Sequence, residues 1–169
     1  VFKLSDRLQL IYDQCIPGEP LWDFCCDHGY LGIHALKSGA FPEVHFVDQA
    51  AHLVNRLEQL WLAKRDEASV NSQAFFHPYA GENVNQEITG NVVIAGVGAH
   101  TIVQILTESM SADRLNARRL LLCPQRDEDM LKDIFGASVA LRSAYNYVTE
   151  MQIVERSRIR KLLIFDRKD

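Results

Sequence analysis

The chain has 169 residues and a formal net charge of −4 at pH 7, a length that suits one domain around one core. Apolar residues make up 47% and charged residues 24%, which is ordinary for a soluble globular protein. The absence of any run of eighteen apolar residues excludes a membrane-spanning helix. The opening stretch Val1-Phe2-Lys3-Leu4-Ser5-Asp6-Arg7 carries acid early and does not read as a signal peptide. Four irregularly spaced cysteines, Cys15, Cys25, Cys26 and Cys123, do not form a disulfide framework, and a reduced, cytoplasmic protein is the expectation. The charge is uneven: residues 1–100 hold 6 Lys and Arg against 12 Asp and Glu, and residues 101–169 hold 12 against 10. Only the second half offers a basic set, with Arg118, Arg119, Arg126, Arg142, Arg156, Arg158, Arg160 and Lys161. Taken alone, that set reads as solvated surface charge rather than as a nucleic-acid footprint.

In chain order, Leu4, Leu8, Ile11, Tyr12 and Cys15 recur at helical spacing and predict a leading amphipathic helix. Ser5 or Asp6 can cap it, and Pro17-Gly18-Glu19-Pro20 stops it. Leu21 to Cys25 reads as a short buried strand, His28 to Lys37 as a helix closed by Gly39, and Val44 to Asp48 as a second strand. A long helix is expected from about Ala50 to Lys64, then a weaker strand over Gln73 to His77. Asn91 to Ala95 is a strong strand that ends in Gly96-Val97-Gly98, followed by a helix over His100 to Ser109. Arg119 to Cys123 is another strand, stopped by Pro124, and Asp127 to Phe135 is a helix capped by Gly136. The tail, Val139 to Phe165, is rich in β-branched and aromatic residues and can supply one or two further strands.

Short apolar strands alternating with helices mean βαβ units and a mostly parallel sheet covered on both faces. The expected fold is α/β, a doubly wound Rossmann-like sheet with an antiparallel C-terminal strand, over residues 1–169 as one domain. In such sheets ligands bind at the carboxyl ends of the strands, near the switch point. The loops to inspect are therefore Asp23–Tyr30, Asp48-Gln49, His77–Gly81, Ala95–Gly98 and Pro124-Gln125.

The first of these loops carries the main clue. A dinucleotide fold wants G-x-G-x-x-G there, but this loop has the single glycine Gly29, and the P-loop pattern is also missing. S-Adenosylmethionine has no phosphate and carries cationic groups that Asp23 and Asp27 can meet, with helix N-terminal amides for its carboxylate. Asp27 can equally be a helix cap. Asp23 is harder to dismiss, because an acid inside an apolar strand needs partners. Asp48 ends the second strand about 20 residues beyond the first turn, where an acid can take both ribose hydroxyls; the alternative is an acid facing water. Gly96, Val97 and Gly98 can let a flat ring or a methionyl chain approach the backbone, or simply turn the chain. The N-x-P-[YF]-type tetrapeptide of many exocyclic-amine methyltransferases does not occur, which argues against a base-N6 enzyme of that type. Adjacent Cys25, Cys26, Asp27 and His28 cannot easily all face one ion, so no metal site is expected, and buried cysteines acting as small hydrophobes fit better. His100, just after the Gly98 turn, is better placed to face a ligand than the other histidines.

These residues resemble the bacterial tRNA adenine-N1 methyltransferases that act at tRNA position 22, the TrmK family. The resemblance rests on Leu4-Ser5-Asp6-Arg7-Leu8, Asp23-Phe24-Cys25-Cys26-Asp27-His28-Gly29-Tyr30-Leu31, Ile94-Ala95-Gly96-Val97-Gly98 and Leu122-Cys123-Pro124-Gln125. The family's first loop reads like D-I-G-S-D-H-A-Y-L, its fourth-strand loop like I-A-G-M-G-G, and its fifth strand ends in L-Q-P-N. The Asp27-His28-x-Tyr30-Leu31 string is the most specific element. The family's Gly-Ser is Cys25-Cys26 here, its second Gly after the A-G-M-G string is Ala99, the Arg that often follows is His100, and the Asn after the fifth-strand Pro is Gln125. An acid that would contact adenine near the end of the third strand appears as Pro78 or Tyr79. The family's C-terminal helical domain is not expected within these residues.

The resemblance implies a class I methyltransferase using S-adenosylmethionine, with tRNA as its partner. It implies a cofactor site from Asp23, Cys25, Gly29, Asp48, Gln49, Ala95, Gly96, Val97 and Gly98. Asp27 and His28 would shape the reaction site, with Tyr30 packing nearby. Arg7, Tyr79, His100, Gln125 and Arg126 are candidates for substrate contacts, and a target base flipped from folded tRNA favours a stacking aromatic such as Tyr30 or Tyr79. Two other functions fit the same scaffold: a methyltransferase for a small molecule or a protein, and a non-catalytic binding module.

Overall fold

A computed structural model describes residues 3–64 and 71–169 of the chain; Val1 and Phe2 of the opening stretch lie outside the described residues. The leading helix α1 spans Asp6–Asp13, and Ser5 is its cap, its hydroxyl accepting from the Leu8 amide at 3.3 Å. β1 (Leu21–Phe24), α2 (Tyr30–Ser38), β2 (Glu43–Val47), α3 (Ala51–Lys64) and β3 (Gln73–His77) form two successive βαβ units. β4 (Ile88–Ala95), α4 (Ala99–Ser111) and β5 (Leu115–Cys123) form the next. With β6 (Tyr145–Glu155) and β7 (Arg158–Arg167), the strands run β3-β2-β1-β4-β5-β7-β6 across one seven-stranded sheet. The chain crosses from β1 outward to β3 and then returns beside β1 as β4, so β1 and β4 flank the switch point.

The C-terminal third departs in detail from the sequence expectation. The helix expected over Asp127 to Phe135 is a 3-10 turn, Glu128–Met130, feeding α5 (Leu131–Ala137), and Gly136 lies inside that helix rather than after it. After Ser138 the start of the tail, a stretch whose composition can supply one or two strands, forms α6 (Val139–Ala144). Ser138 starts this helix by accepting from the Leu141 amide at 3.3 Å, a local hydroxyl cap, and Ala140, Leu141, Arg142 and Ala144 are good helix formers. The chain then forms a long hairpin from β6 (Tyr145–Glu155) and β7 (Arg158–Arg167). β7 inserts antiparallel between β5 and β6, with Leu120 opposite Phe165 and Val154 opposite Ile159. β4 and β5 both start earlier than their apolar centres suggest, and a register shift at Gly90/Asn91 joins their polar and apolar halves.

Each face of the sheet has its own core. Trp22, Phe24, Val92, Ile94, Leu120 and Leu122 pack beneath α4, α5 and α6 on one side. Leu21, Val44, Phe46, Val93 and Leu121 pack beneath α1, α2 and α3 on the other. The alternation of Val92, Val93 and Ile94 between the two clusters is the period-2 geometry of a strand buried on both faces. α2 lies very close to the sheet at Gly32, where an added Cβ would sit 2.3 Å from Phe46 Cε1. That approach brings the start of α2 over the end of β1 and sets the position of the loop between them.

Candidate functional site

The β1–α2 loop is built from an unusual backbone. Cys25 and Asp27 have φ of 58° and 50°, a region that L-residues with a Cβ enter only at an energetic penalty. Gly29, with φ of 67°, stands at the cap position of α2 and supplies no side-chain cap. Asp27 is thus not the helix cap: the helix starts two residues later than a cap at Asp27 would require. Its carboxylate is exposed and lies 3.8 Å from His28 Nε2. The His28 and Tyr30 rings, both exposed, lie with centroids 5.6 Å apart.

A cleft of about 1020 Å³ opens over the carboxyl ends of β1, β4 and β5. Its floor is Asp23, Cys25, Cys26, Ala95 and Gly96. Gly96 adopts φ of 80°, and the space where its Cβ would be is open, so backbone itself faces the cleft there. One wall comes from the loop, with Asp27, His28 and Tyr30, and the opposite wall from the start of α1 and the β6–β7 hairpin. Arg7 of α1 ties those last two together, its Nε 3.2 Å from the Glu155 carboxylate.

Asp23 is the dominant electrostatic feature of the floor. It is 5% exposed, and one oxygen accepts from the Gly32 amide at 3.3 Å. Its other oxygen has no hydrogen-bond donor among the described residues. Burial pushes its pKa up to about 7, against the single amide and with a smaller push from the Asp48 charge. A carboxyl whose neutral form is favoured by burial beside a cleft is poised to ionise when a cationic group arrives. The cysteines of this loop are the reverse case: burial raises the Cys25 thiol to about 12 and Cys26 further, so neither is a thiolate nucleophile. All four cysteines are unpaired.

Of the residues singled out from sequence, Arg7, Asp23, Cys25, Asp27, His28, Tyr30, Ala95, Gly96 and Gln125 meet around this cleft. The remainder lie beside it. Asp48 turns both oxygens to backbone, accepting from the Asp27 amide at 3.0 Å and from the Ala50 amide at 2.8 Å; it holds the loop in place from below. Gln49 is exposed at the start of α3, and Gly29 is packed on Leu57 and Phe46. Val97, Gly98 and Arg126 zip the β4 loop to the β5 loop: the Gln125 amide donates to the Val97 carbonyl at 2.7 Å, and the Ala99 amide to that of Arg126 at 3.1 Å. His100 is exposed on the first turn of α4.

Tyr79 belongs to a second polar group, away from the cleft lining. Its hydroxyl is 2.9 Å from His77 Nδ1, His77 Nε2 is 3.0 Å from His45 Nδ1, and His45 Nε2 is 3.3 Å from Glu43 Oε2. Because a carboxylate only accepts, His45 carries its proton on Nε2, and each next donor follows in turn from the Tyr79 end. His45 is sandwiched between Trp22, at 3.7 Å between centroids, and Phe75, at 4.6 Å. Burial lowers the His45 pKa to about 3 and lowers that of His77 as well. Spacing of two along the chain brings Glu43 to His45 and Tyr79 to His77, but the pairing of β2 with β3 is what joins the two halves through His45 and His77.

Sequence reasoning also missed the hairpin wall: Glu155, Arg156, Arg158 and Arg160 line the cleft although they lie some 130 residues beyond the Asp23 loop in the chain. Their available signal was the alternating basic string Arg156-Ser157-Arg158-Ile159-Arg160-Lys161, which reads as surface charge until the hairpin is placed. Among the described residues no group of three or more His, Cys, Asp or Glu side chains is arranged to hold a metal ion, and no helix is long and apolar enough to cross a membrane.

A doubly wound sheet with one antiparallel strand next to last, and an acid-floored cleft at its switch point, defines a Rossmann-like class I methyltransferase fold. Residues 4–163 match the family described as the methyltransferase domain, and the chain belongs to that family. No curated protein sequence matches it. The B. subtilis m1A22 tRNA methyltransferase TrmK superposes with a TM-score of 0.75 at 19% identity, over 100% of this chain and 68% of that one. M. capricolum TrmK in complex with S-adenosyl-homocysteine gives 0.71 at 19% identity, over 98% and 69%. The magnesium protoporphyrin IX methyltransferase of Synechocystis PCC 6803, with bound S-adenosylmethionine, gives 0.68 at 20% identity, over 96% and 76%. At these identities the likeness is one of fold.

Proposed function

We propose that this enzyme uses S-adenosylmethionine to methylate a base of tRNA, at adenine N1. The observation that carries the cofactor reading is the buried Asp23 carboxyl, one oxygen open to the cleft with no protein donor among the described residues, at the carboxyl end of β1. Its charge would meet the ammonium of the methionyl group, and the Gly96 backbone would let that group lie close. Asp48 keeps a further lone pair on each oxygen beyond those its two amides use, which suits ribose hydroxyls. When bound, the cofactor supplies a methyl already activated on its sulfonium. The chain's own part is to orient the acceptor and exclude water. Adenine N1 brings its own lone pair, so no strong base is required. His28 and Tyr30, exposed at the rim, offer rings on which a flipped base would stack.

What supports tRNA over other acceptors is the Asp27-His28-x-Tyr30-Leu31 string together with likeness to TrmK structures over nearly all of this chain. Four unpaired cysteines are in keeping with a cytoplasmic enzyme. The test is transfer of labelled methyl from S-adenosylmethionine to total tRNA, with calorimetry of cofactor binding alongside. Label in tRNA that maps to adenine N1 is expected. Cofactor binding without transfer to tRNA overturns the substrate and leaves a small-molecule or protein methyltransferase; no cofactor binding at millimolar concentration overturns the enzyme reading itself.

A further inference from the structure

The tip of the β6–β7 hairpin is a two-residue turn in which both residues, Arg156 (φ 49°) and Ser157 (φ 62°), are left-handed. Turns of this hand match the twist of a hairpin but favour Gly, Asn or Asp. The turn here carries an arginine instead, and it stands at the mouth of the cleft, with Arg156 and Arg158 both exposed and both lining it.

The neighbouring charges are already committed. Arg160 donates to the Gln125 carbonyl and to Glu128, each at 3.0 Å. Glu155 lies directly across the turn from Arg158, which would normally make the two a cross-strand ion pair. Its carboxylate turns instead to Arg7 of α1, 3.2 Å away. Among the described residues neither Arg156 nor Arg158 then has an ion-pair or hydrogen-bond partner, so two guanidinium groups stand uncommitted at the tip. Val154 and Ile159, opposite each other one step below the tip, are 68% and 58% exposed. An exposed apolar pair just below two uncommitted arginines is unlike an ordinary solvated hairpin, in which charges pair and apolar residues turn inward.

We propose that this hairpin tip binds the phosphate backbone of the RNA substrate beside the methylated base, with Arg156 and Arg158 on the phosphates and the Val154–Ile159 pair against an adjacent nucleoside. Guanidinium groups suit this task because their fork of donors matches phosphate oxygens. Phosphate contacts set register and orientation, while the base is read elsewhere. A protein that is acidic overall, with an acidic cleft floor, needs such a local cationic edge to keep a polyanion at its mouth. Arg7 is a positioning residue in this arrangement, since it keeps Glu155 away from Arg158.

The inference rests on the tRNA reading, and the following test separates the two. Binding of unfractionated tRNA to the full chain is measured against salt concentration in the presence of S-adenosyl-homocysteine, together with methyl transfer and cofactor affinity. Wild type is compared with Arg156→Ala/Arg158→Ala and with Arg156→Lys/Arg158→Lys. The alanine pair is expected to weaken tRNA binding about 10-fold or more and to flatten the slope of log affinity against log salt by roughly 1.5, two phosphates' worth. Cofactor affinity and melting temperature are expected to stay as in wild type, and the lysine pair to recover the salt slope. Wild-type methylation of tRNA with an alanine pair unchanged in affinity and slope overturns the hairpin alone. Wild type that binds tRNA through the arginines but transfers no methyl upholds the surface and overturns the substrate reading. No tRNA binding by wild type overturns both.

Discussion

Two buried polar groups lie on neighbouring strands of this sheet and behave as opposites. Asp23 on β1 is a carboxyl whose pKa burial has raised to about 7. His45 on β2 is an imidazole whose pKa burial has lowered to about 3. Desolvation favours the neutral form of both. The difference lies in what surrounds them. His45 and His77 pass their hydrogen bonds along a chain from Tyr79 to Glu43, walled by Trp22 and Phe75, so all four ring nitrogens already have partners. Asp23 has one amide and an open cleft. Imidazoles with every nitrogen partnered report a structural device, and a half-partnered carboxyl beside a cavity reports a ligand.

Replacing Asp23 breaks the comparison most strongly. Asp23→Asn removes the need to bury a charge, so above pH 7 the ligand-free protein should gain stability, by up to about 4 kcal/mol for a displacement from 3.8 to about 7. The same variant should lose about 10- to 100-fold in S-adenosylmethionine affinity, the worth of a charge-assisted hydrogen bond. Denaturant melts with and without cofactor check both; a variant that is no more stable at pH 8 removes the raised carboxyl. In wild type this group's contribution is fully present below about pH 4 and is lost as pH rises toward 7.

His45 sharpens the comparison from the other side. His45→Ala opens a gap between two rings and orphans its hydrogen-bond partners, and should destabilise by about 3 kcal/mol. The wild-type imidazoles contribute stability that is whole above the ordinary histidine range, near pH 6.5, and is lost as pH falls toward about 3. The slope of stability against pH on that acid side should flatten in the variant, while its cofactor affinity stays within about 2-fold of wild type, as a network outside the cleft requires. An unchanged acid slope would mean that His45 is not held neutral. The smallest effect is expected at Cys25. Cys25→Gly relieves its left-handed backbone but frees the unfolded chain, and should change stability by less than about 1 kcal/mol. Cys25→Val, branched at the same φ of 58°, should destabilise by about 1–2 kcal/mol. Equal melts for the two would show that the loop relaxes.

The elements nearest the cofactor end were the most legible in the sequence, because their signals are local. The apolar runs at Leu21, Val44 and Asn91 and the helices between them are defined by neighbours a few residues away. The acid inside β1 stood out for the same reason. The C-terminal third was less legible: α6 is six residues long, too short to show a period, and what places it is the Ser138 cap and the burial of Leu141.

The sequence by itself determined the doubly wound class, the glycine-poor turn from Asp23 to Tyr30 and the likeness to a methyltransferase family. All of these rest on periodicity and on residues adjacent in the chain. Only the tertiary structure decided that Asp48 braces that turn, that side chains of β2, β3 and the residues just after β3 join in one relay, and that a hairpin turning at Arg156 walls the cleft. The Arg7–Glu155 pair that holds this hairpin to α1 spans 148 positions. Contacts at such separation come from strand order and register, which packing across the whole sheet selects, and no local pattern in the chain encodes them.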